Sequence, residues 1–298
     1  MKKLLFTGAS GFLGNNILPL LKESYFVDTI GLTDADDIKI NMAEAAPDLY
    51  THYDVVLHAA GKAHSVPRTK EDEQVFYDVN YIGTIHLCDA LEKVGAPKSM
   101  VFISTVAVYG CERGELIDET HPLNGTSPYA DSKKQAEKYL TKWCKERGVN
   151  LTILRPSLLA GRNAPGNLGS MVEGIRRGYY LNVAGGKAKK SVLMAEDIAR
   201  LLPLVEDKTG VFNVCDSYQP SFGELSVSVA RQLGKRKPLN LPYWMAWCLA
   251  KTGDLFGSKA PINSYKLQKM TKSLTFSNEK AMRELGWEPM DVLGHYTI

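Results

Sequence analysis

The sequence predicts an α/β fold: a doubly wound parallel sheet with a smaller C-terminal lobe. Three observations carry that prediction. Short apolar runs alternate with helical stretches through the first half of the chain. The runs show little polar alternation, as expected of strands buried on both faces between helical layers. Three glycines separate the first run from the first helix, in Gly8-Ala9-Ser10-Gly11-Phe12-Leu13-Gly14.

Strands are expected at 3–6, 27–32, 54–59, 100–104 and 151–154, each short and rich in Val, Ile, Leu and Phe. Helical patterns fill the gaps at 15–22, 71–94 and 128–146. The last begins with Ser127 as N-cap and Pro128 at the first helical position, and Gly148 follows it. This β-α-β alternation argues for right-handed crossovers and a parallel sheet. The alternation weakens after about residue 161. Arg162–Asn167 reads as a Gly/Pro/Asn loop, and residues 211–214 read as one more buried strand. Ser221-Phe-Gly-Glu224 has capping-box spacing and opens a helix through Leu233. From Lys235 the chain is rich in Pro, Trp and Lys and reads as a lobe over the carboxyl edge of the sheet. The expected division is 1–160 for the first domain and 161–298 for the lobe, with about 191–215 returning to the first domain.

Composition narrows the function classes. Hydrophobic residues make up 44% of the 298 and charged residues 23%, an ordinary soluble globular balance. With 36 Lys and Arg against 33 Asp and Glu, the net +3 reads as small and scattered, so a nucleic-acid partner is not expected. Five widely spaced cysteines without Cys-x-x-Cys imply reduced thiols, with neither a disulfide framework nor a metal site. The apolar run after Lys2-Lys3 ends within three residues, short of a signal peptide. The longest apolar stretch, Tyr243–Ala250, is far below the roughly 20 residues that span a bilayer. A cytoplasmic protein with no membrane span is the expectation.

The glycine loop points to dinucleotide binding. A strand-to-helix turn needs unusual backbone angles, and a pyrophosphate must approach bare N–H groups at a helix N-terminus. Gly8, Gly11 and Gly14, with the backbone of Phe12 and Leu13, would form that cradle; a purely structural turn is the alternative. The first domain is thus expected to be of Rossmann type. The acid that holds the adenosine ribose usually lies about 20 residues beyond the glycines. Asp34 is the candidate, with Asp36 and Asp37 close behind, although strand two is expected to end at Leu32 or Thr33; an exposed Asp-rich turn is the other reading. No arginine precedes Arg68 to hold a 2′-phosphate. That favours NAD and leaves NADP open.

Tyr129 and Lys133 are four apart at the start of a predicted helix and share one face. A nearby ammonium favours phenolate, and a tyrosine so tuned can exchange a proton with an alcohol or ketone. Ser104 and Thr105 emerge at the carboxyl edge of the strand just before, where ligands sit in open α/β folds. Either hydroxyl could hold a substrate oxygen beside Tyr129; turn capping is the alternative.

Together these residues resemble the extended short-chain dehydrogenase/reductase family, in its NAD-dependent epimerase/dehydratase branch acting on nucleotide sugars. The resemblance covers nearly the whole chain. It rests on Gly8-x-x-Gly11-x-x-Gly14, His58-Ala-Ala-Gly61, Asp78-Val-Asn80-Tyr-Ile-Gly83-Thr84, Thr105 four residues before Tyr109-Gly110, Tyr129-x-x-x-Lys133, Leu154-Arg155-Pro156, Pro165-Gly166-Asn167 and Leu285-Gly286-Trp287-x-Pro289. The resemblance implies Thr105, Tyr129 and Lys133 as catalytic residues. It also implies cofactor contacts from the glycine loop, Asp34, Asn41, Ala59, Ala60, Gly61, Asn80, Ser104, Tyr129, Lys133 and Pro156. Substrate contacts would come from Thr105, Asn167 and Lys190. The last replaces an arginine that often stands seven residues before the Asp197-Ile-Ala motif. Val106 and Ala107 stand where sugar dehydratases of the family carry an Asp-Glu pair, which argues against dehydration.

The activity so implied is NAD(P)-dependent hydride transfer at a sugar carbinol or ketone, at C4, by a 4-epimerase or by a 4-keto-sugar reductase or dehydrogenase. The segment 241–250 leans toward the latter; its alternative reading is an amphipathic helix buried against the core. Rival activities are reduction of a sterol- or flavonoid-like ketone and nonenzymatic NAD(P) sensing. The family also implies a homodimer through the helices at 71–94 and 128–146.

Overall fold

The computed structural model describes residues 1–63, 65–257 and 262–298. The first half runs β1 (Lys2–Thr7), α1 (Phe12–Ser24), β2 (Tyr25–Gly31), β3 (Ile38–Lys39), β4 (Val55–His58), α2 (Lys70–Tyr77), a π-helical turn (Asp78–Ile82) and α3 (Gly83–Val94). It continues with β5 (Ser99–Ile103), a 3-10 turn (Val106–Tyr109), β6 (Gly114–Ile117), α4 (Pro128–Arg147) and β7 (Asn150–Pro156). The second half holds β8 (Leu158–Ala160), α5 (Gly166–Arg176), β9 (Leu181–Val183), β10 (Val192–Met194), α6 (Glu196–Val205), β11 (Gly210–Val214) and α7 (Phe222–Gln232). The last elements are β12 (Leu239–Leu241), α8 (Tyr243–Asp254), α9 (Ser264–Thr271), β13 (Leu274–Phe276), α10 (Glu279–Leu285) and α11 (Val292–His295).

Seven strands form one parallel sheet in the order β11-β7-β5-β4-β1-β2-β3. The winding reverses at β1, which pairs with β2 on one side and β4 on the other. A crevice at the carboxyl ends of the strands is the consequence of such a switch. Register brings Thr7 opposite His58 and Ile103 opposite Leu154 at that edge. The apolar runs work because alternate side chains serve opposite layers. Leu4, Phe6, Leu57, Val101 and Ile103 join one core with Ile17, Leu21, Ile198 and Leu202 of α1 and α6. Leu5, Val56, Met100 and Phe102 join the other with Leu87, Leu91, Leu140 and Trp143 of α3 and α4. Each large side chain so buried contributes roughly 1.5–3 kcal/mol.

Three expectations change and a fourth becomes specific. The helix expected over 71–94 is two helices joined by a π turn, and that turn holds Asn80, fully buried. The widened turn lets Asn80 accept from Lys62 N–H (2.8 Å) and donate to Ser132 Oγ (2.9 Å). Strand β2 ends at Gly31, before Leu32. The segment 191–215 returns to the first domain's core through α6 and through β11, which rejoins the main sheet, while β10 pairs with β8 in a separate two-stranded ladder. Finally, α8 is not buried by its large side chains. Ala246, Ala250 and Gly253 face inward, while Tyr243, Trp244, Met245, Trp247 and Leu249 are exposed.

The C-terminal Leu-Gly-Trp motif ties the chain back to the first domain. Leu285 and Trp287 pack into the same core as β1 and α1. All five cysteines are unpaired, and no helix among the described residues is long and apolar enough to cross a membrane.

Candidate active site

The glycine loop links the end of β1 to α1, and each glycine has a different reason to be there. Gly8 has φ +81°, and a Cβ on it would lie 2.7 Å from Ala60 N. A Cβ on Gly14 would lie 2.1 Å from Ala9 O, so helix and loop can meet only at glycine. Gly11 has an ordinary backbone, and its Cβ would meet only Gly8 O at 3.3 Å. That single oxygen is the one atom crowding Gly11. Gly11 is also the N-cap of α1, with no side chain capping the first N–H groups. Phe12 and Leu13 pack their side chains on the core while contributing backbone to that first turn. An unfilled glycine and uncapped N–H groups at a helix N-terminus fit a dinucleotide pyrophosphate.

The segment after β4 is fixed by a directional chain of hydrogen bonds. Ala60 N–H donates to Thr7 Oγ1 (3.1 Å), and Thr7 Oγ1 donates to His58 Nδ1 (2.7 Å). On the other side Thr84 Oγ1 donates to Asn80 O (2.7 Å), so it accepts from His58 Nε2–H at 2.8 Å. Only the neutral imidazole protonated at Nε2 satisfies every member. Complete burial, with Lys133 nearby, pushes the His58 pKa down to about 3. Ala59 N–H donates to Thr7 O. A Cβ on Gly61 would lie 3.0 Å from Asn80 Oδ1 and 3.1 Å from Lys133 Nζ. Ala59, Ala60, Gly61, Asn80 and Lys133 are therefore brought together around one floor.

Thr105 and Tyr129 also meet. Thr105 caps the 3-10 turn by accepting from Ala107 N–H (3.1 Å), and its hydroxyl lies near enough to that of Tyr129 to act on its pKa. Tyr129 opens α4, where Ser127 accepts from Ala130 N–H as N-cap. Both alternatives for Thr105, capping and facing Tyr129, are thus realised. Lys133, one turn on, is buried; its Nζ donates to Ile103 O (2.9 Å) and lies 4.6 Å from the Phe102 ring centroid. Burial pushes the Lys133 pKa down to about 8, against the opposing pull of Glu137. Burial pushes the Tyr129 pKa up, and the Thr105 hydroxyl opposes it in part. The lowering of the tyrosine pKa expected from Lys133 is absent here: burial sets the direction, and the Lys133 ammonium donates to the Ile103 carbonyl instead.

Ser104 differs from its expected place. Its hydroxyl donates to buried Glu137. Glu137 also receives Arg155 Nε (3.0 Å) and Nη2 (2.6 Å). Arg155 Nη1 in turn donates to the Tyr109 hydroxyl (3.0 Å), which donates to Asn213 Oδ1 (2.7 Å). This network was not read from the sequence; Glu137, four residues after Lys133 on the same helix face, was its available signal.

The three acids after β2 separate clearly. Asp34 is exposed and pairs with Lys39 at 2.6 Å. Asp37 accepts from Thr29 N–H and Oγ1. Asp36 is the buried one, accepting from Thr33 N–H (3.0 Å) and Oγ1 (2.7 Å). A Cβ on Gly31 would lie 2.3–2.4 Å from the Asp36 carboxylate. Asp36 thus fills the place of a side chain at the strand end, where the ribose-binding acid belongs. Asn41 closes the turn after β3, with its side chain on Glu44 and Ala43 N–H. Pro156 ends β7 opposite Val214. Asn167 stands exposed on the first turn of α5. Lys190 lies on the lobe, with Nζ donating to Lys272 O (3.0 Å) and 5.9 Å from the Phe222 ring centroid. Burial and Lys269 push its pKa down to about 8.

Comparison with known proteins agrees with this geometry. The model of the NAD dependent epimerase/dehydratase family matches residues 4–215. An Escherichia coli O157:H7 protein, N-acetyl-alpha-D-glucosaminyl-diphospho-ditrans,octacis-undecaprenol 4-epimerase, is 29% identical over 93% of this chain and 88% of its own. The UDP-glucose 4-epimerase of Vibrio cholerae is 26% identical over 98% of this chain and 92% of its own. The fold matches that of Thermus thermophilus UDP-glucose 4-epimerase, solved with NAD, with a TM-score of 0.71 at 22% identity over 96% and 94% of the two chains. With its glycine cradle and its Thr-Tyr-Lys constellation set in a matching fold, the chain belongs to the NAD-dependent epimerase/dehydratase family.

Proposed function

We propose that the protein is an NAD-dependent 4-epimerase of a sugar carried on a diphosphate, with Tyr129 as its acid/base. The observation that carries this reading is the nearness of the Thr105 and Tyr129 hydroxyls, one helical turn from buried Lys133. Thr105 holds the C4 oxygen, and Tyr129 acts as the phenolate, accepting the C4 hydroxyl proton and later returning it. Lys133, beside Gly61 and Asn80, is placed to hold the nicotinamide ribose. Bound NAD would supply reversible hydride acceptance, which makes inversion at C4 possible without net oxidation. Val106 and Ala107 bring no carboxyl to the site, so loss of water has no acid or base there.

The relatives support epimerisation over the reduction or oxidation suggested by the segment 241–250. Their printed substrates carry the sugar on UDP in one case and on a polyprenol diphosphate in the other. Asn167 and Lys190 are the diphosphate contacts in this reading. A homodimer through α2, α3 and α4 belongs to it as well, and sedimentation velocity tests that part. The activity test is interconversion of UDP-N-acetylglucosamine or UDP-glucose with its 4-epimer by the wild type and by Tyr129→Phe. Loss of the acid/base is expected to lower turnover by about 10²–10⁴ with cofactor binding retained. Undiminished turnover in Tyr129→Phe contradicts the assignment.

A further inference from the structure

Helix α8 is built inside out for a helix of a soluble lobe. It turns Ala246, Ala250 and Gly253 inward, onto a small core with Val183 and Leu267. It leaves Trp244 68% and Trp247 48% exposed, with Tyr243, Met245 and Leu249 beside them. Leu255 and Phe256, just beyond its end, are 85% and 71% exposed. The neighbouring elements extend the surface. Tyr265 of α9 is exposed, and Leu239 of β12 pairs in register with Leu181 of β9, both exposed. Scattered exposed apolar side chains are ordinary, but a cluster of Trp, Tyr, Phe and Leu on one helix and its neighbours marks a surface that something covers.

Charge identifies the occupant. Residues 235–272 contain eight Lys and Arg and a single acid, Asp254. That segment alone carries a net +7, so the remainder of the chain is net −4. The net +3 is therefore concentrated rather than scattered. Lys235, Arg236 and Lys237 are exposed at the start of the segment. Lys251 lies 5.8 Å from the Trp247 ring centroid and Lys269 lies 4.2 Å from that of Tyr265. Aromatic rings interleaved with lysines suit the headgroup boundary of an anionic bilayer, where rings enter the acyl boundary and ammonium groups meet lipid phosphates. The acid-poor surface has little to offer a basic protein partner.

We propose that the α8–α9 face docks in the plane of an anionic membrane, so that the site takes a sugar whose diphosphate is carried by a membrane lipid. The link between face and site is Lys190. Its Nζ donates to Lys272 O at the end of α9, and Lys269 of α9 is the charge that acts on it. The expected diphosphate contact thus adjoins the docking face. The choice of substrate rests on the epimerase reading above; the docking rests only on the exposed face of α8, α9 and their neighbours.

The test is cosedimentation of the full chain with vesicles of phosphatidylglycerol and phosphatidylcholine, for the wild type and for Trp244→Ser/Trp247→Ser. The wild type is expected to bind, less at high salt, and the variant to bind at least tenfold more weakly while keeping wild-type turnover of UDP-N-acetylglucosamine. With N-acetylglucosamine diphosphate on a polyprenol in the same vesicles, the variant is expected to show a KM raised at least tenfold. No binding by the wild type, or equal binding by both proteins, overturns the docking. A change from dimer to monomer in the variant, without vesicle binding by the wild type, assigns the face to a second copy of the chain and overturns it too. Turnover of the UDP-sugar without turnover of the lipid-carried sugar overturns the substrate class. Vesicle binding with turnover of neither sugar upholds the docking and contradicts the epimerase reading instead.

Discussion

Glu137 of α4 and Arg155 of β7 form a two-pronged ion pair with both side chains almost completely buried. It lies one turn along α4 from Lys133 and also holds Ser104 and Tyr109. Removing one member of such a pair leaves a buried charge uncompensated, at a cost of about 3–5 kcal/mol. Glu137→Gln and Arg155→Met are each expected to lose stability on that scale in denaturant melts. The double variant is expected to lose clearly less than the two losses added together. Additive losses contradict direct coupling.

The glycines of the loop separate stability from cofactor binding. A Cβ at Gly14 collides with Ala9 backbone, whereas one at Gly11 meets only Gly8 O. Gly14→Ala is expected to destabilise the fold by about 1–3 kcal/mol through overpacking. Gly11→Ala is expected to melt close to the wild type and to bind NAD at least tenfold more weakly. Calorimetric titration with NAD beside thermal melts reads both, and the reverse pattern contradicts the assignment.

Lys133 makes stability depend on pH in a stated direction. Its folded pKa of about 8 lies below the ordinary 10.5. Between these values the unfolded chain holds a proton that the folded chain has released, so the contribution of Lys133 to stability rises with pH. Below pH 8 both states are protonated, and the burial penalty stands in full. The Tm difference, wild type minus Lys133→Met, is therefore expected to grow from pH 8 to pH 10 and to be level from pH 6 to pH 7.5. A level difference across the whole range contradicts the shift.

Asp36, not Asp34, is the acid whose carboxylate lies against Gly31 at the end of β2, and the proposed ribose contact moves to it. Asp36→Ala is expected to weaken NAD binding at least tenfold and to narrow the preference over NADP, because a carboxylate there repels a 2′-phosphate. Asp34→Ala, which removes only an exposed pairing with Lys39, is expected to change neither. Binding constants for both cofactors decide the matter.

The parts of this structure legible in the sequence are those written in local pattern. Apolar runs gave the strands, Ser127-Pro128 and Gly148 bounded α4, and the glycine spacing located the cradle. Missed features depend on contacts between distant residues. The π turn at Asn80 answers to Lys62 and Ser132. The His58 relay needs Thr7 and Thr84, and Asp36 reaches its position only because Gly31 leaves a space. The exposed aromatics of α8 escaped for another reason. An apolar helix has the same composition whichever face turns inward, and only packing on Ala246 and Ala250 decides it.

The central claim is that hydride leaves C4 and returns to the same carbon within one active site. The most direct measurement is proton NMR of UDP-N-acetylglucosamine or UDP-glucose incubated with the enzyme and NAD in deuterated water. The account predicts an equilibrium mixture of 4-epimers, protium retained at C4, and no accumulation of NADH. Deuterium at C4, a stable keto product with NADH released, or a product lacking water would contradict it.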